Sequence, residues 1–257
     1  MKLYKSRWTL CGALSVLSPA TLLLLWELLA RAGWIDVRLF SSPSGILETF
    51  VPLLASGELA YHTAVSVERI FLGFLAGALP GVFIGVAMGL SPFVRASLEP
   101  MINATYPIPK LALMPLILLI FGLGESSKIF TIAIGVFYLV VINTLTGVLS
   151  IDRIYLDVAK SFGAGKLDFY RTVALPGALP MIFAGLKLGM GMALILIVAA
   201  ELSAAQAGIG WMIWRAYDMF DIEKMFSALI MLSLLGYVFS LLLDWAERLA
   251  LPWKTEE

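Results

Sequence analysis

The stretch from Asp157 to Pro180, DVAKSFGAGKLDFYRTVALPGALP, places charged residues between two long apolar runs. The chain of 257 residues is 60% hydrophobic and only 14% charged, whereas soluble domains are about 25% charged. Most of the polypeptide is too apolar for water, which predicts an all-α integral membrane protein. A charged, patterned segment in such a chain is typical of a docking surface for a soluble partner.

Six apolar segments satisfy the length of about 20 mainly apolar residues that a membrane-crossing helix needs. They cover residues 9–30, 64–90, 97–121, 127–149, 176–200 and 225–247. The first begins like a signal peptide, but its length and the lack of a cleavage pattern predict a retained helix. No linker or second soluble region is visible, so residues 1–257 are predicted to form a single transmembrane domain.

The positions of the basic residues predict the orientation, because lysine and arginine are retained on the cytoplasmic side. With the amino terminus inside, ten basic residues lie in inner segments: Lys2, Lys5, Arg7, Arg95, Arg153, Lys160, Lys166, Arg171, Arg248 and Lys254. Five lie in outer segments: Arg31, Arg38, Lys128, Arg215 and Lys224. This bias predicts that both termini and residues 152–175 are cytoplasmic.

Residues 152–175 carry a helical pattern. Apolar residues recur every four positions, at Ile154, Val158 and Phe162. Gly163 and Gly165 then predict a left-handed turn, and a second short helix is expected over residues 166–172. Pro176 opens the next span, where its missing N–H is not needed. The expected product is a helix, a turn and a helix at the membrane surface.

The second span carries one glycine every four residues, at Gly73, Gly77, Gly81, Gly85 and Gly89. On a helix these residues form a ridge without side chains, which lets another backbone approach closely where lipid provides no hydrophobic drive. The spacing therefore predicts a helix-packing face. Pro80 lies within the same span and predicts a kink.

The third span is interrupted by Pro107, Pro109 and Pro115. Broken helices are tolerated at membrane depth where they are buried in protein or line a cavity, so Tyr106 and Lys110 are candidates for a translocation pathway. Ionisable residues inside spans are costly and indicate function by default, which adds Arg69, Lys187 and Glu201. A plain proline kink and purely structural charges are the alternatives; Glu201, before a glycine-containing loop, is a candidate gate or anchor.

Residues 31–61 are too short and too mixed in composition to cross the membrane, and they predict an interfacial helix. Ser41 or Ser44 is the expected N-cap of this helix. Pro52 and Gly57 are expected to interrupt it.

The composition argues against several kinds of chemistry. Cys11 is the only cysteine and His62 the only histidine, so neither a disulfide, a metal cluster nor a histidine-based catalytic site is expected. Eighteen basic residues balance eighteen acidic ones, which gives no reason to expect a nucleic-acid partner. The run from Gly163 to Lys166 is similar to part of a phosphate-binding loop but lacks its first glycine and its final hydroxyl residue. The chain is therefore not predicted to bind ATP or to be an enzyme.

The charged stretch resembles the signature loop of bacterial ABC importer permeases. That pattern is Glu-Ala-Ala, three residues, Gly, nine residues, Ile, any residue, then Leu-Pro. Asp157-Val158-Ala159, Gly163, Val173 and Leu175-Pro176 keep every spacing, with Asp for Glu and Val for Ala and Ile. Four other runs are similar to the permease group for nitrate, aliphatic sulfonates, taurine and bicarbonate. They are IPKLALMPLILLIFGLGESSKIF, INTLTGV, LPGALPMIFAGLKLGMG and AAELSAAQAGIGWMI.

This resemblance implies a type I ABC importer transmembrane domain with about six transmembrane helices. It implies a homodimer in the bacterial inner membrane, two ATPase subunits that use ATP and Mg²⁺, and an extracytoplasmic substrate-binding protein. The helix before Gly163 would be the coupling helix that enters a groove of each ATPase. The residues expected to carry the coupling are Asp157, Val158, Ala159, Lys160, Phe162, Gly163, Leu175 and Pro176.

The expected solute is a small anion, delivered by the binding protein. An alternative is a neutral or aromatic organic solute such as a vitamin precursor, for which Tyr106, Phe137 and Tyr138 would offer apolar walls. A carrier that needs no ATPase is a further alternative, but paired interrupted spans typical of many such carriers are not evident. An integral membrane enzyme is the third, and it lacks a recognisable catalytic cluster.

Overall fold

The computed structural model describes the backbone of residues 2–253. Side chains are described for these residues except 2–13, Val16, Arg153, Leu156, Lys160, Lys166, Leu167 and Ala204. Every regular element in this part of the chain is a helix. The helices group into two compact units, Met1–Ala60 with Met212–Ile230 and Tyr61–Trp211 with Met231–Glu257.

The first unit begins with three helices, α1 (Lys2–Arg31), α2 (Val37–Phe40) and α3 (Pro43–Ala55). The predicted caps of α3 are wrong by one or two residues, because Ser42 has the extended backbone and its hydroxyl accepts the N–H of Gly45. Ser44 lies in the first turn of α3, and both its N–H and its hydroxyl donate to the carboxylate of Glu27 on α1.

The predicted interruption of α3 at Pro52 is also wrong, because the helix continues to Ala55. A proline removes only one helical N–H donor, and here the helix has less than one further turn to run. Gly57 follows the end of the helix with a φ of +80°, a left-handed conformation that glycine adopts without strain.

The remaining helices are α4 (Glu58–Leu90), α5 (Pro92–Thr105), α6 (Met114–Phe121), α7 (Glu125–Leu149), α8 (Arg153–Ser161), α9 (Lys166–Phe169), α10 (Leu175–Ala204), α11 (Ile209–Asp218) and α12 (Ile222–Ala250). A 3₁₀ turn, Lys110–Leu113, precedes α6, and a π-helical turn, Tyr170–Ala174, precedes α10. Most of them lie in the second unit, while α4, α11 and α12 extend across its borders.

Four helical stretches in the described part of the chain are long and apolar enough to cross a membrane. They are Glu58–Leu90, Glu125–Leu149, Tyr170–Ser203 and Ile222–Ala250, and they contain the predicted second, fourth, fifth and sixth spans. The predicted third span is a pair of helices, Pro92–Thr105 and Lys110–Phe121, bent by 87° at the proline-rich break. The predicted first span falls within α1, where the side chains of residues 2–13 are outside the described set.

The glycine ridge of α4 lies directly against α7. The nearest α7 side chains to Gly73, Gly77, Gly81, Gly85 and Gly89 are Ile132, Val136, Val140, Thr144 and Val148, in that order. A Cβ on Gly73 would lie 2.6 Å from the Cβ of Ile132, and a Cβ on Gly81 would lie 2.9 Å from that of Val140. Because the numbers rise together on both helices, α4 and α7 run parallel at backbone contact distance.

The other side of α7 packs against α10 in the antiparallel direction. Gly147 of α7 faces Met181, near the start of α10, and Asn143 faces Gly185 one turn further on. A core of buried apolar residues fills the space between the three helices: Ile70, Phe74, Ala78, Ile132, Val136, Val140, Met190, Ala193, Leu196 and Ile197. The three helices α4, α7 and α10 therefore form one packed bundle.

The chain stays helical from Lys166 to Ala204, through α9, the π-helical turn and α10. The prediction of a separate short helix over residues 166–172 is therefore wrong. A π-helical turn contains an extra residue and shifts the hydrogen-bond register by one position. The shift comes immediately before Pro176, so the helix continues past a residue that lacks an N–H donor.

We expect Gly77→Ala to destabilise the folded protein, because its new methyl group would collide with the backbone oxygen of Ala133. Overpacking of this kind typically costs about 1–3 kcal/mol. The matched control is Gly191→Ala on α10, where no described atom outside the local helix lies within 4 Å of the position of a Cβ. Thermal unfolding in detergent should show a lower Tm for Gly77→Ala alone, and equal Tm values for the two variants would contradict the close packing.

Candidate functional site

Residues 152–175, here called the coupling segment, present an apolar face that the described part of the chain leaves uncovered. The exposed apolar side chains of this face are Ile154, Tyr155, Val158 and Phe162. Phe162 is 86% exposed, the most of any large apolar side chain in the described part of the chain. Asp157 is also exposed and Ala159 is half-buried, while the side chain of Lys160 is outside the described set.

The turn after α8 is built on Gly163, whose φ is +69°. The N–H of Ala164 donates to the carbonyl of Ala159 at 3.0 Å and ends the helix. Among the described residues, no atom lies within 4 Å of the position that a Cβ of Gly163 would take, so the backbone conformation is the reason for glycine that the structure shows here. Leu175 and Pro176 are half-buried at the start of α10, where Pro176 faces a groove of about 400 Å³.

The opposite end of the bundle, here called the distal end, contains Arg69, Glu125 and Glu201. Glu201 lies 26 residues beyond Leu175 on the same helix, which corresponds to about 39 Å. Arg69 is 5% exposed. Its guanidinium donates to both carboxylate oxygens of Glu125, to Glu201 at 2.8 Å and to the carbonyl of Ala207 at 2.6 Å.

Glu201 is buried and receives hydrogen bonds from three directions. Besides Arg69, the hydroxyl of Ser66 donates to it at 2.9 Å and the N–H of Gly210 at 2.8 Å. A buried carboxylate is tolerated when it is paired and its oxygens are hydrogen-bonded, and both conditions hold here. Glu201 thus connects the end of α10 to α4 and to the start of α11.

Side chains from α4 and α10 accept the first backbone N–H groups around the start of α11. Gly208 donates to Nδ1 of His62 at 3.1 Å, Ile209 to the hydroxyl oxygen of Ser66 at 2.8 Å, and Gly210 to Glu201. The set of contacts, here called the distal clasp, comprises the side chains of His62, Ser66, Arg69, Glu125 and Glu201 and the backbone of residues 207–210.

A cavity of about 820 Å³ lies beside the distal clasp. The charged side chains at its surface differ in accessibility: Glu68 is exposed and the Glu125 side chain is 59% exposed, whereas Arg69 and Lys128 are buried. The ammonium of Lys128 donates to the carbonyls of Leu123 and Gly124, both at 3.1 Å. A molecule entering this cavity therefore meets carboxylates before it meets the cations.

Lys110 lies at the break between α5 and α6. Its ammonium donates to the carbonyls of Thr105, Tyr106 and Ile108 at 2.9 to 3.1 Å, and it lies 4.0 Å from the centroid of the Tyr138 ring. These bonds use all three ammonium hydrogens and satisfy carbonyls at the end of α5. Tyr106, Lys110 and Tyr138 also line a mainly apolar cavity of about 410 Å³.

Lys187 joins α10 to α12. Its ammonium lies 2.5 Å from a carboxylate oxygen of Asp244 and 2.5 Å from one of Glu247. The Lys187 side chain is 35% exposed, so the ion pairs are partly accessible. The predicted pathway residues therefore fall in three places: Arg69 and Glu201 in the distal clasp, Tyr106 and Lys110 at the helix break, and Lys187 on the α10–α12 contact.

Several residues at these places were not predicted as site residues. His62 and Ser66 lie seven and three positions before Arg69 on α4, so the three residues share one helical face. Glu125 lies two residues before the predicted fourth span, and Asp244 lies near the end of the predicted sixth. The helical spacing to Arg69 indicates His62 and Ser66, but nothing local indicates which distant side chains they contact.

Comparison with known proteins agrees with this architecture. A family model described as "Binding-protein-dependent transport system inner membrane component" matches residues 77–252. The chain is 35% identical over 235 residues to the aliphatic sulfonates transport permease protein SsuC of Escherichia coli (strain K12), covering 91% of this chain and 89% of that protein. It is 35% identical over 259 residues to the taurine transport system permease protein TauC of the same organism, covering 98% and 94%. The nitrate import permease protein NrtB of a Synechocystis strain is 31% identical over 242 residues, covering 91% and 87%.

Solved structures show the same fold. A chain of the inward-facing MetNI methionine ABC transporter superposes with a TM-score of 0.62 at 18% identity, covering 72% of this chain and 92% of that one. A chain of an amino acid ABC transporter superposes with a TM-score of 0.57 at 20% identity, covering 79% and 94%. These likenesses confirm the predicted fold class, an all-α ABC importer transmembrane domain. With the family match over residues 77–252, they establish that this chain is a multi-pass membrane protein that belongs to the family of inner-membrane components of binding-protein-dependent transport systems.

Proposed function

We propose that this chain is the permease subunit of an ATP-driven importer. Two copies form the translocation pathway, a separate ATPase docks at each coupling segment and hydrolyses ATP with Mg²⁺, and a substrate-binding protein delivers the solute at the distal end. The solute is a small anion of the sulfonate, taurine, nitrate or bicarbonate type. Both termini and the coupling segment are cytoplasmic in this proposal, in keeping with the inward bias of basic residues.

The observation that carries the proposal is the exposed apolar face of α8 and its connection to α10. An amphipathic helix at the end of a bundle, with Phe162 fully presented, suits a groove on a soluble partner. The Gly163 turn leads into a helix that continues from Lys166 to Ala204. A push on α8 is therefore passed through the turn at residues 162–165 to a continuous helix.

Support for an anionic solute comes from the relatives, whose names specify sulfonates, taurine and nitrate. The distal cavity adds no anion site of its own, because its two cations are buried and hydrogen-bonded within the chain. Lys110 is likewise saturated by carbonyls. The solute class is therefore expected to be selected mainly by the binding protein.

We expect Gly163→Val to uncouple the ATPase. A β-branched residue at a φ of +69° is strained by about 1–3 kcal/mol, so the turn that orients α8 should change while the bundle remains folded. Solute-stimulated ATP hydrolysis by the reconstituted complex should fall strongly. The control is Gly57→Val, which introduces the same strain at a φ of +80° and also meets no neighbour within 4 Å. Normal stimulation in Gly163→Val would contradict the role proposed for this turn.

The solute class can be tested on the binding protein encoded beside this permease. Bound ligand stabilises a folded protein by mass action, so its Tm should rise with an alkanesulfonate, taurine, nitrate or bicarbonate. A neutral aromatic compound of vitamin-precursor type is the comparison ligand. Stabilisation by that compound alone would contradict the anionic class and favour the alternative solute.

We expect Lys187→Gln to slow solute uptake several-fold while lowering the amount of assembled complex much less. The substitution leaves Asp244 and Glu247 without their shared cation at the α10–α12 contact. The matched control is the triple variant Lys187→Gln, Asp244→Asn, Glu247→Gln, which also removes the two carboxylates that pair with Lys187. Uptake at the wild-type rate in the single variant would exclude Lys187 from the pathway.

A further inference from the structure

The bundle of α4, α7 and α10 is joined in two chemically different ways. From Gly73 onward, the glycines of α4 pack against side-chain carbons and backbone carbonyls of α7. Before Gly73, at the distal end, Ile70 still belongs to the apolar core, but buried polar contacts are added: Arg69 and Ser66 of α4 are hydrogen-bonded to Glu201 of α10, and Arg69 also to Glu125 of α7. The apolar core is sufficient to hold these helices together, so the buried polar cluster is not needed for helix association alone.

Buried ion pairs contribute little net stability compared with apolar packing, but they fix geometry because they are costly to leave unpaired. The side chains of the distal clasp hold the backbone that connects α10 to α11. Four successive residues are held by side chains: the carbonyl of Ala207 and the N–H groups of Gly208, Ile209 and Gly210. Gly208 has a φ of +120°, and a Cβ there would strike the Glu201 carboxylate.

We propose that the distal clasp makes α4, α7, α10 and residues 205–210 one rigid block, so that movement of the coupling segment is delivered to the rim of the distal cavity. Glu201 and Arg69 are then positioning residues for transport. This inference rests on the proposed function as an importer permease.

Each link in this connection is a described contact. The helix from Lys166 to Ala204 joins the coupling segment to Glu201. Glu201 is bonded to α4 through Ser66 and Arg69, and Arg69 is bonded to α7 through Glu125. The clasped backbone continues directly into Ala205 and Gln206, which line the cavity together with Glu125. Motion at the start of α10 is therefore carried by described contacts as far as the backbone that borders this cavity.

The test is Glu201→Gln in the complete complex of permease, ATPase and binding protein, reconstituted in liposomes. The substitution keeps the shape of the side chain and removes the charge that pairs with Arg69. We expect ATP hydrolysis to stay within about twofold of wild type, while solute taken up per ATP falls roughly tenfold, a typical size for lost coupling between two sites. Wild-type uptake per ATP would overturn the proposal.

The matched control is Glu68→Gln. Glu68 is an exposed carboxylate that lines the same cavity, but the acceptors of the Arg69 guanidinium in the described structure are Glu125, Glu201 and Ala207. Its neutralisation should leave uptake per ATP unchanged. An equal loss in Glu68→Gln and Glu201→Gln would assign the effect to the charge of the cavity and overturn the clasp as its cause.

A milder variant covers the case in which Glu201→Gln assembles poorly. Ser66→Ala removes the hydroxyl that donates to Glu201 and accepts from Ile209, with an expected fall in uptake per ATP of about threefold. Rates are normalised to assembled complex. If ATP hydrolysis and uptake fall in the same proportion in these variants, the clasp only supports folding and the proposal fails.

A distance measurement tests the rigid block without transport. Spin labels at Tyr61→Cys and Ser203→Cys, both exposed at the cavity, are introduced with Cys11→Ser. The distance should be the same without nucleotide and with trapped ATP, and its distribution should broaden in Glu201→Gln. A shift of one helical turn, about 5.4 Å, between the two states would overturn the block. If wild type shows no ATP-driven uptake, the proposed function fails, whereas the comparison of wild type with Glu201→Gln in the absence of nucleotide still decides the block.

Discussion

The close contact between α4 and α7 is the constraint on which the rest of the structure depends. In lipid, the hydrophobic effect does not drive two helices to associate. The favourable free energy of association must come from close backbone contact and side-chain packing. Five glycines at four-residue spacing supply that approach over four turns. The α7 surface that faces them is mainly β-branched, from Ile132 to Val148, and such side chains lose little freedom when packed. With this pair fixed, α10 completes the core on the other side of α7.

The sequence was most informative where the signal is local and periodic. The glycine spacing in α4, the proline-rich break after Thr105 and the left-handed turn at Gly163 each depend on residue types with special backbone properties, and each is present in the structure. The boundaries were less predictable. Ser42 caps α3, in place of the predicted Ser41 or Ser44, and the helix continues past Tyr170 through a π-helical turn. Neither outcome was predictable, because each depends on hydrogen bonds that several similar registers would allow.

The distal clasp was only partly predictable, for a different reason. Arg69 and Glu201 attract attention because a charge within an apolar span is expensive. Their meeting requires contacts between residues 132 positions apart, and Glu125 enters from a third helix. Spacing along one helix cannot specify such a combination. The sequence likewise did not indicate that the ammonium of Lys110 donates to three carbonyls at the helix break, because these contacts depend on how the backbone bends there.

The parallel direction of α4 and α7 has a topological consequence for the bent pair between them. The end of α4 at Leu90 lies beside the end of α7 near Val148, and Glu125 begins α7 at the other end of the bundle. The chain from Leu90 to Glu125 must therefore travel the full length of the bundle before α7 can start. A re-entrant hairpin would return to the side it left. The 87° bend between Thr105 and Lys110 is thus a corner within a complete passage along the bundle, because chain direction requires an odd number of passages between α4 and α7.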